Sequence, residues 1–509
     1  MATNSNIVTA LMPSSVLQLI GFVAVAAISW IIAWGLYHAF LHPLSKYPGP
    51  KLWAAYRIPY VYHNVRGQLP FKVSSLHRRY GPVVRIGPDH MSFTNAAAWQ
   101  DIYGLQPGRV QNQKDMQAYT PHMPGWDQNI VHANDTFHAK LRRMYGAAFS
   151  PKALAEQAGM LQKYADLMVT QLKIAVEREG VQDMSAWYNY TTFDLTGDFA
   201  FGEAFHCLEQ GGKSHFFLKT VFGGVTTGLQ LMALEFYGVL TLLSPLIPKS
   251  AMKPKEDMDR YTKELVDRRM ERGYDPKVVD VFNYLLAQKD TEGELSQQAL
   301  YENGITLVVA GSETTATLLT GLTYFLCRNP DTLKKVQDEV RSAFSSDDEI
   351  TPKTVNDLTY MLAVLSEGLR IFPPTAFGIP RLIANKAGQE VAGNYVPHKT
   401  RVAIFHQAAY RSEKNFARPN DFVPERWLDN PAAEFKNDSR DALQPFMVGP
   451  RGCIGKSLAY AEMRLLFAKM LYNFDFELAD PTEDWYGGLR SFMVWERTPL
   501  RIRLRAVER

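Results

Sequence analysis

The sequence predicts a mainly α-helical protein behind a single N-terminal transmembrane helix. Three observations carry that prediction: a charge-free apolar start, helical periodicity along much of the chain, and one long helix over 296–329 that Pro330 stops. At 509 residues, 46% hydrophobic and 21% charged, the composition is that of an ordinary globular protein. The net charge of +3 is spread without a basic run, which excludes a nucleic-acid binder.

No Lys, Arg, Asp or Glu precedes Lys46. The stretch LQLIGFVAVAAISWIIAWGLY, from Leu17 to Tyr37, is long enough at about 1.5 Å per residue to cross a ~30 Å hydrocarbon layer. A cleaved signal peptide would instead open with basic residues and have a shorter apolar core. The chain then divides into a short lumenal tail (1–16), an anchor (17–39), a proline-rich hinge (40–52) and a large globular domain (53–509). Lys46, Lys51 and Arg57 follow the span, so the positive-inside rule places the body in the cytosol. The Asn-x-Ser/Thr matches at Asn134, Asn189 and Asn437 are then chance ones. In the hinge, Tyr47-Pro48-Gly49-Pro50 ends the helix and aims the body at the membrane surface.

Past the hinge, the longest loop runs from Gln106 to Asp135, and Ala153 to Leu172 is amphipathic at helical period. The nearly charge-free stretch Phe216 to Ile247 is broken by glycines and reads as two helical pieces that dip into lipid or close over an apolar ligand. Within 296–329, Ile305 to Cys327 is apolar enough for a second span. A central Glu313 would cost about 2.5 to 3.5 kcal/mol there, so a buried core helix is expected. Gly304, Gly311 and Gly321 each weaken that helix by about 1 kcal/mol relative to Ala, so something requires them. Gly311 removes a side chain where a flat partner approaches, and Glu313 and Thr314 put an acid and a hydroxyl in the same turn.

Cys207, Cys327 and Cys453 are too few and too scattered for a disulfide framework or a CxxC metal site. Cys207 and Cys327 read as small buried hydrophobes. Cys453 stands in PFMVGPRGCIGKSLAYAEMR, from Pro445 to Arg464. Gly452 and Gly455 let the backbone fold tightly around it and turn N–H groups to its sulfur, and a helix beginning near Ile454 adds its positive end. Such a loop holds an anionic sulfur.

The pattern Phe446-x-x-Gly449-x-Arg451-x-Cys453-x-Gly455 resembles the haem-binding loop of the cytochromes P450. Three further motifs follow in the family's order: Ala310-Gly311-Ser312-Glu313-Thr314 of the oxygen-binding helix, Glu367-Gly368-Leu369-Arg370 of the ExxR helix, and Pro424-Glu425-Arg426-Trp427. The resemblance implies a cytochrome P450 fold, mainly α with a smaller β region, preceded by the one transmembrane helix. It implies haem b with Cys453 as axial iron ligand and Phe446, Gly455, Ala310 and Gly311 around the cofactor. It gives Arg451, Arg142 and Arg381 to the haem propionates, with His138 where many members carry Trp. Glu313 and Thr314 become the catalytic pair that delivers protons, and Glu367, Arg370 and Arg426 a buried structural network.

By position in the family fold, Val308, Ala310, Phe377, Ile379, Phe492 and Met493 face the substrate, with the loop Gln106 to Asp135 and the Phe216 to Leu240 region. Their apolar bias points to a lipophilic small molecule. No flavin or nicotinamide motif is present, so electrons are expected from NADPH through a separate cytochrome P450 reductase, with cytochrome b5 a second candidate donor; Lys140, Arg143 and Lys456 are candidate docking bases. HPLSKYPGPKLWA and NDFVPERWL resemble filamentous-fungal enzymes of secondary metabolism, whose substrates are polyketides, terpenoids or alkaloids. The expected location is the endoplasmic reticulum membrane, single-pass, with a cytosolic catalytic domain. Two other functions fit less of the motif set: a haem-thiolate isomerase or dehydratase that needs no reductase, and a membrane-anchored haem or lipid binder without turnover.

Overall fold

The computed structural model describes residues 16–116, 128–210, 249–288, 293–496 and 498–508. The Phe216–Ile247 stretch lies outside them, as does the centre of the Gln106–Asp135 loop. The chain is mainly helical with a smaller β region, as expected. Its first helix, α1 (Val16–Leu36), continues through a wider turn at Tyr37–Leu41. Val16–Leu41 is a candidate membrane span, with mean hydropathy 2.4 and an apolar window of which 0% is buried against the protein.

The hinge is fixed to the body. The Arg85 N–H donates to the Pro48 carbonyl (2.8 Å), and the buried Arg85 guanidinium donates to the carbonyls of His38, Gly87 and Pro88. Gly49 is required there, because a Cβ at that position would lie 2.4 Å from the Arg85 carbonyl oxygen. The Tyr56 hydroxyl donates to the Ile31 carbonyl of α1 at 2.9 Å, so anchor and body share side-chain contacts as well.

The helices that frame the interior are α2 (Asp135–Gly146), α3 (Ala158–Arg178), α4 (Met184–Phe201), α5 (Lys249–Glu271), α6 (Gln297–Cys327), α7 (Pro330–Ala343), α8 (Thr359–Ile371) and α9 (Lys456–Asn473). Helix α6 starts where the Ser296 hydroxyl accepts the Ala299 N–H (3.1 Å) and ends before Pro330. With 56% of its apolar window buried, it is a core helix and not a second span. Its neighbours are α4, α5, α7, α8 and α9.

That packing explains the glycines. Added Cβ atoms would lie 3.1 Å from the Phe201 ring at Gly304, 3.0 Å from Thr196 at Gly311 and 2.0 Å from the Phe372 ring at Gly321. The space at Gly311 is therefore filled by Thr196 of α4, and not kept for a flat partner as the sequence suggested. The largest of the sheets in the β region has five strands, β1 (Val83–Gly87), β2 (His90–Phe93), β3 (Gln113–Lys114), β4 (Arg381–Leu382) and β5 (Arg401–Ile404), in the order β1-β2-β5-β4-β3. Only β2 and β5 pair in parallel within it, and β3 and β4 set Lys114 opposite Arg381.

Gly321→Ala tests the packing account. The Phe372 ring stacks on Trp495 at 4.6 Å and has little room to retreat, so the variant should lose about 1–3 kcal/mol of stability in a denaturation curve despite Ala's helix preference. Gly159→Ala in α3, with no atom within 4 Å of the new Cβ, should leave the midpoint unchanged or raised.

Candidate functional site

Cys453 lies in the turn ahead of α9. Its backbone N–H donates to the Phe446 carbonyl (2.8 Å), and the Gly452 N–H to that of Gly449 (3.0 Å). The tight turning falls on Met447 (φ 58°) and Gly449 (φ 80°), where a Cβ would come within 1.9 Å of the Tyr103 carbonyl oxygen. Gly455 has φ −83° and room for a side chain, so it does not make the turn as the sequence reading had it. It contributes an N–H to the sulfur instead. Phe446 packs against Tyr460 with the rings tilted by 49° and their centroids 4.9 Å apart.

Burial pushes the Cys453 thiol up, while the Gly455 N–H, Arg142 and Lys456 pull it down. Cys453 keeps accessible surface, so space is open beside it. Ala310 does the same from the middle of the core helix α6, between buried Val308 and Ser312.

A cluster of cations stands beside the loop. Arg142 of α2 donates to the Gly452 carbonyl (2.5 Å), and Arg451 donates to the Ala133 carbonyl and to Asp135 (2.8 and 2.7 Å). Arg381 lies with its guanidinium 5.3 Å from the Tyr103 ring centre. His138 is buried on α2, and burial with Arg451, Lys114 and Arg142 pushes it down to about 4. Lys114 was missed in the sequence: it is 8% exposed, and burial with Arg451 and Arg381 drives it down to about 6. On both groups the arginines act more strongly than the opposing carboxylate of Asp135. Like charges facing across two strands destabilise a sheet unless an anion joins them. The donor set therefore fits an anionic group with more than one carboxylate at the edge of the space beside Cys453.

On α6, Glu313 is buried and the Thr314 hydroxyl donates to the Ala310 carbonyl at 2.9 Å. An antiparallel bridge between Thr375 and Val494 joins the segment that carries Phe377 and Ile379 to the one that carries Phe492 and Met493. Val308 departs from its expected place, being fully buried in a core cluster with Phe199, Leu265 and Val281. Phe492 is 3% exposed and packs over Gly67.

Glu367, Arg370 and Arg426 meet in one buried network. Both Glu367 oxygens accept from Arg370 (2.7 and 2.8 Å), and Arg426 and Trp427 add bonds of 3.3 and 2.9 Å. Arg426 also pairs with buried Asp438, which the sequence reading missed. Two acids then balance two arginines, and the spare N–H groups of Arg370 go to the carbonyls of Tyr410, Pro419 and Asp421.

A helical body with a cysteine loop, a cation cluster beside it and a core helix carrying an acid–hydroxyl turn defines a haem-thiolate class of protein. The family described as Cytochrome P450 matches residues 48–494, and the chain belongs to that family. Averantin hydroxylase of Dothistroma septosporum is 39% identical over 482 residues, covering 94% of this chain and 90% of its own. Cytochrome P450 monooxygenase astA of Talaromyces wortmannii is 39% identical over 488 residues, covering 96% and 97%. Cytochrome P450 monooxygenase lcsI of Purpureocillium lilacinum is 37% identical over 516 residues, covering 100% and 98%. The chain is a monooxygenase, and its family implies a haem-thiolate cofactor.

Asp438→Asn removes the charge that balances Arg426. It should destabilise the fold by about 3–5 kcal/mol in chemical denaturation. A shift under about 0.5 kcal/mol, the range of a neutral surface change, would show that the balance is not needed.

Proposed function

We propose that this chain is a membrane-anchored monooxygenase that oxidises a lipophilic small molecule with electrons from NADPH through a separate reductase. The observation that carries the reading is the pairing of the Cys453 loop with the cation cluster: one site for an anionic sulfur and one for carboxylates, side by side. Haem b, when bound, supplies the oxygen-activating redox chemistry that side chains lack. Cys453 would hold the iron as thiolate, with the Gly455 N–H and Arg142 stabilising its charge. Arg142, Arg381, Arg451, His138 and Lys114 would hold the propionates, which would in turn draw the proton back onto Lys114.

The Thr314 hydroxyl rests on the Ala310 carbonyl, on the turn whose Ala310 keeps accessible surface. Turned away from that carbonyl, it would donate its proton towards the reacting oxygen, and Glu313 would refill it through water as general acid. Ala310, Phe377, Ile379 and Met493 supply apolar surface for the substrate. The fungal relatives, one named for hydroxylating averantin, support a hydroxylation in secondary metabolism, on a polyketide, terpenoid or alkaloid skeleton. The Val16–Leu41 span and the bases beyond it support an endoplasmic reticulum anchor with the body in the cytosol.

Reduced, CO-bound protein should show the strongly red-shifted Soret band of thiolate ligation, and Cys453→Ser should abolish it; a variant that keeps the band would remove Cys453 from the axial position. Once a screen of lipophilic metabolites for spin-state shifts identifies a substrate, Thr314→Ala should keep consuming NADPH but divert most electrons to peroxide. Unchanged coupling would overturn the assignment of Thr314.

A further inference from the structure

The conspicuous buried group that the proposed chemistry leaves unused is Glu462 of α9, in the helix that leaves the cysteine loop. It is 4% exposed. Its Oε2 accepts the Thr315 hydroxyl of α6 at 3.0 Å, across 147 residues of sequence. Its Oε1 is buried with no partner among the described residues.

Among the described residues, no cation pairs with it. Lys469, the other buried charge of α9, is held by Asp166 and Asp347. Arg464 donates to Asn356, Arg341 of α7 binds Asp475, and Arg370 of α8 is taken by Glu367. A carboxylate with one hydroxyl donor and no counter-ion is strongly disfavoured in a protein interior, whereas a neutral acid accepts there with little penalty. Burial accordingly pushes the group up to about 8, against the smaller opposite effect of Thr315.

The position gives this acid a task. Thr315 follows Thr314 directly, and α9 starts at Lys456, just after Cys453. The Thr315–Glu462 bond is thus a polar tie between the helix that bears the acid–hydroxyl turn and the helix that issues from the sulfur loop. We propose that Glu462 is a positioning residue: a neutral carboxylic acid that straps α6 to α9 and sets the spacing between the Glu313–Thr314 turn and Cys453. The consequence for the cofactor space rests on the haem-thiolate reading; the protonation of Glu462 does not.

The test uses the full-length holoprotein. Its infrared spectrum at pH 7 should contain a protonated-carboxyl C=O band that Glu462→Gln removes. Imidazole, titrated by absorbance, probes the space between the iron and α6. Glu462→Ala and Thr315→Val should each change its Kd by roughly two- to tenfold, the equivalent of one net hydrogen bond. Glu462→Gln, which can still accept from Thr315, should bind imidazole as wild type does. Thr315→Val tests the same tie from the other helix if Glu462→Ala does not fold. An infrared spectrum unchanged by Glu462→Gln, or an imidazole Kd unchanged by Thr315→Val, would overturn the proposal. Loss of the thiolate Soret band in wild type would instead count against the haem-thiolate reading and leave the infrared result standing.

Discussion

The setting of one cysteine sulfur, Cys453, beside a backbone N–H and two positive charges is the interaction on which the rest of this structure depends. Burial alone drives the Cys453 thiol towards its neutral form, which binds iron poorly. The chain opposes that drift with a backbone N–H from Gly455, the guanidinium of Arg142 and the ammonium of Lys456. Each requires something of the fold: a loop turned at Met447 and Gly449, a helix α2 laid beside that loop, and a helix α9 that begins just after it. Arg142 is pushed down by its own burial, and the Cys453 sulfur acts on it in the opposite direction.

Two sets of buried charges separate structure from binding. In the network of Glu367, Arg370, Arg426 and Asp438 the acids and bases balance, and Arg370 gives its remaining N–H groups to carbonyls. Nothing further is needed there. Around Lys114 and His138 the arginines outweigh Asp135, and β3 and β4 hold two bases opposite each other in register. The positive charge gathered in the second place suits an anion.

Much of this was legible in the sequence because it is local. The span, the cysteine loop, the acid–hydroxyl turn and the ExxR pair each occupy one short stretch, and Pro330 ends the core helix as expected. What was not legible depends on partners far apart in the chain. Asp438 sits in an aperiodic loop, and Lys114 gains meaning only when a two-residue strand pairs with Arg381. Gly311 of α6 was read as room for a flat partner, but the fold sets Thr196 against it, as it sets Phe201 against Gly304 and Phe372 against Gly321. The proline-rich hinge was read as a joint, yet Arg85, on a strand well beyond it, ties it to the sheet.

The tie at Arg85 also fixes the end of the N-terminal apolar helix, a candidate membrane span, to the β region. All of this serves one claim, that the chain holds iron through the sulfur of Cys453. X-ray absorption at the iron edge of the haem-loaded protein tests it most directly. The account predicts one sulfur scatterer in the first shell of iron; a shell of nitrogen and oxygen alone would contradict it.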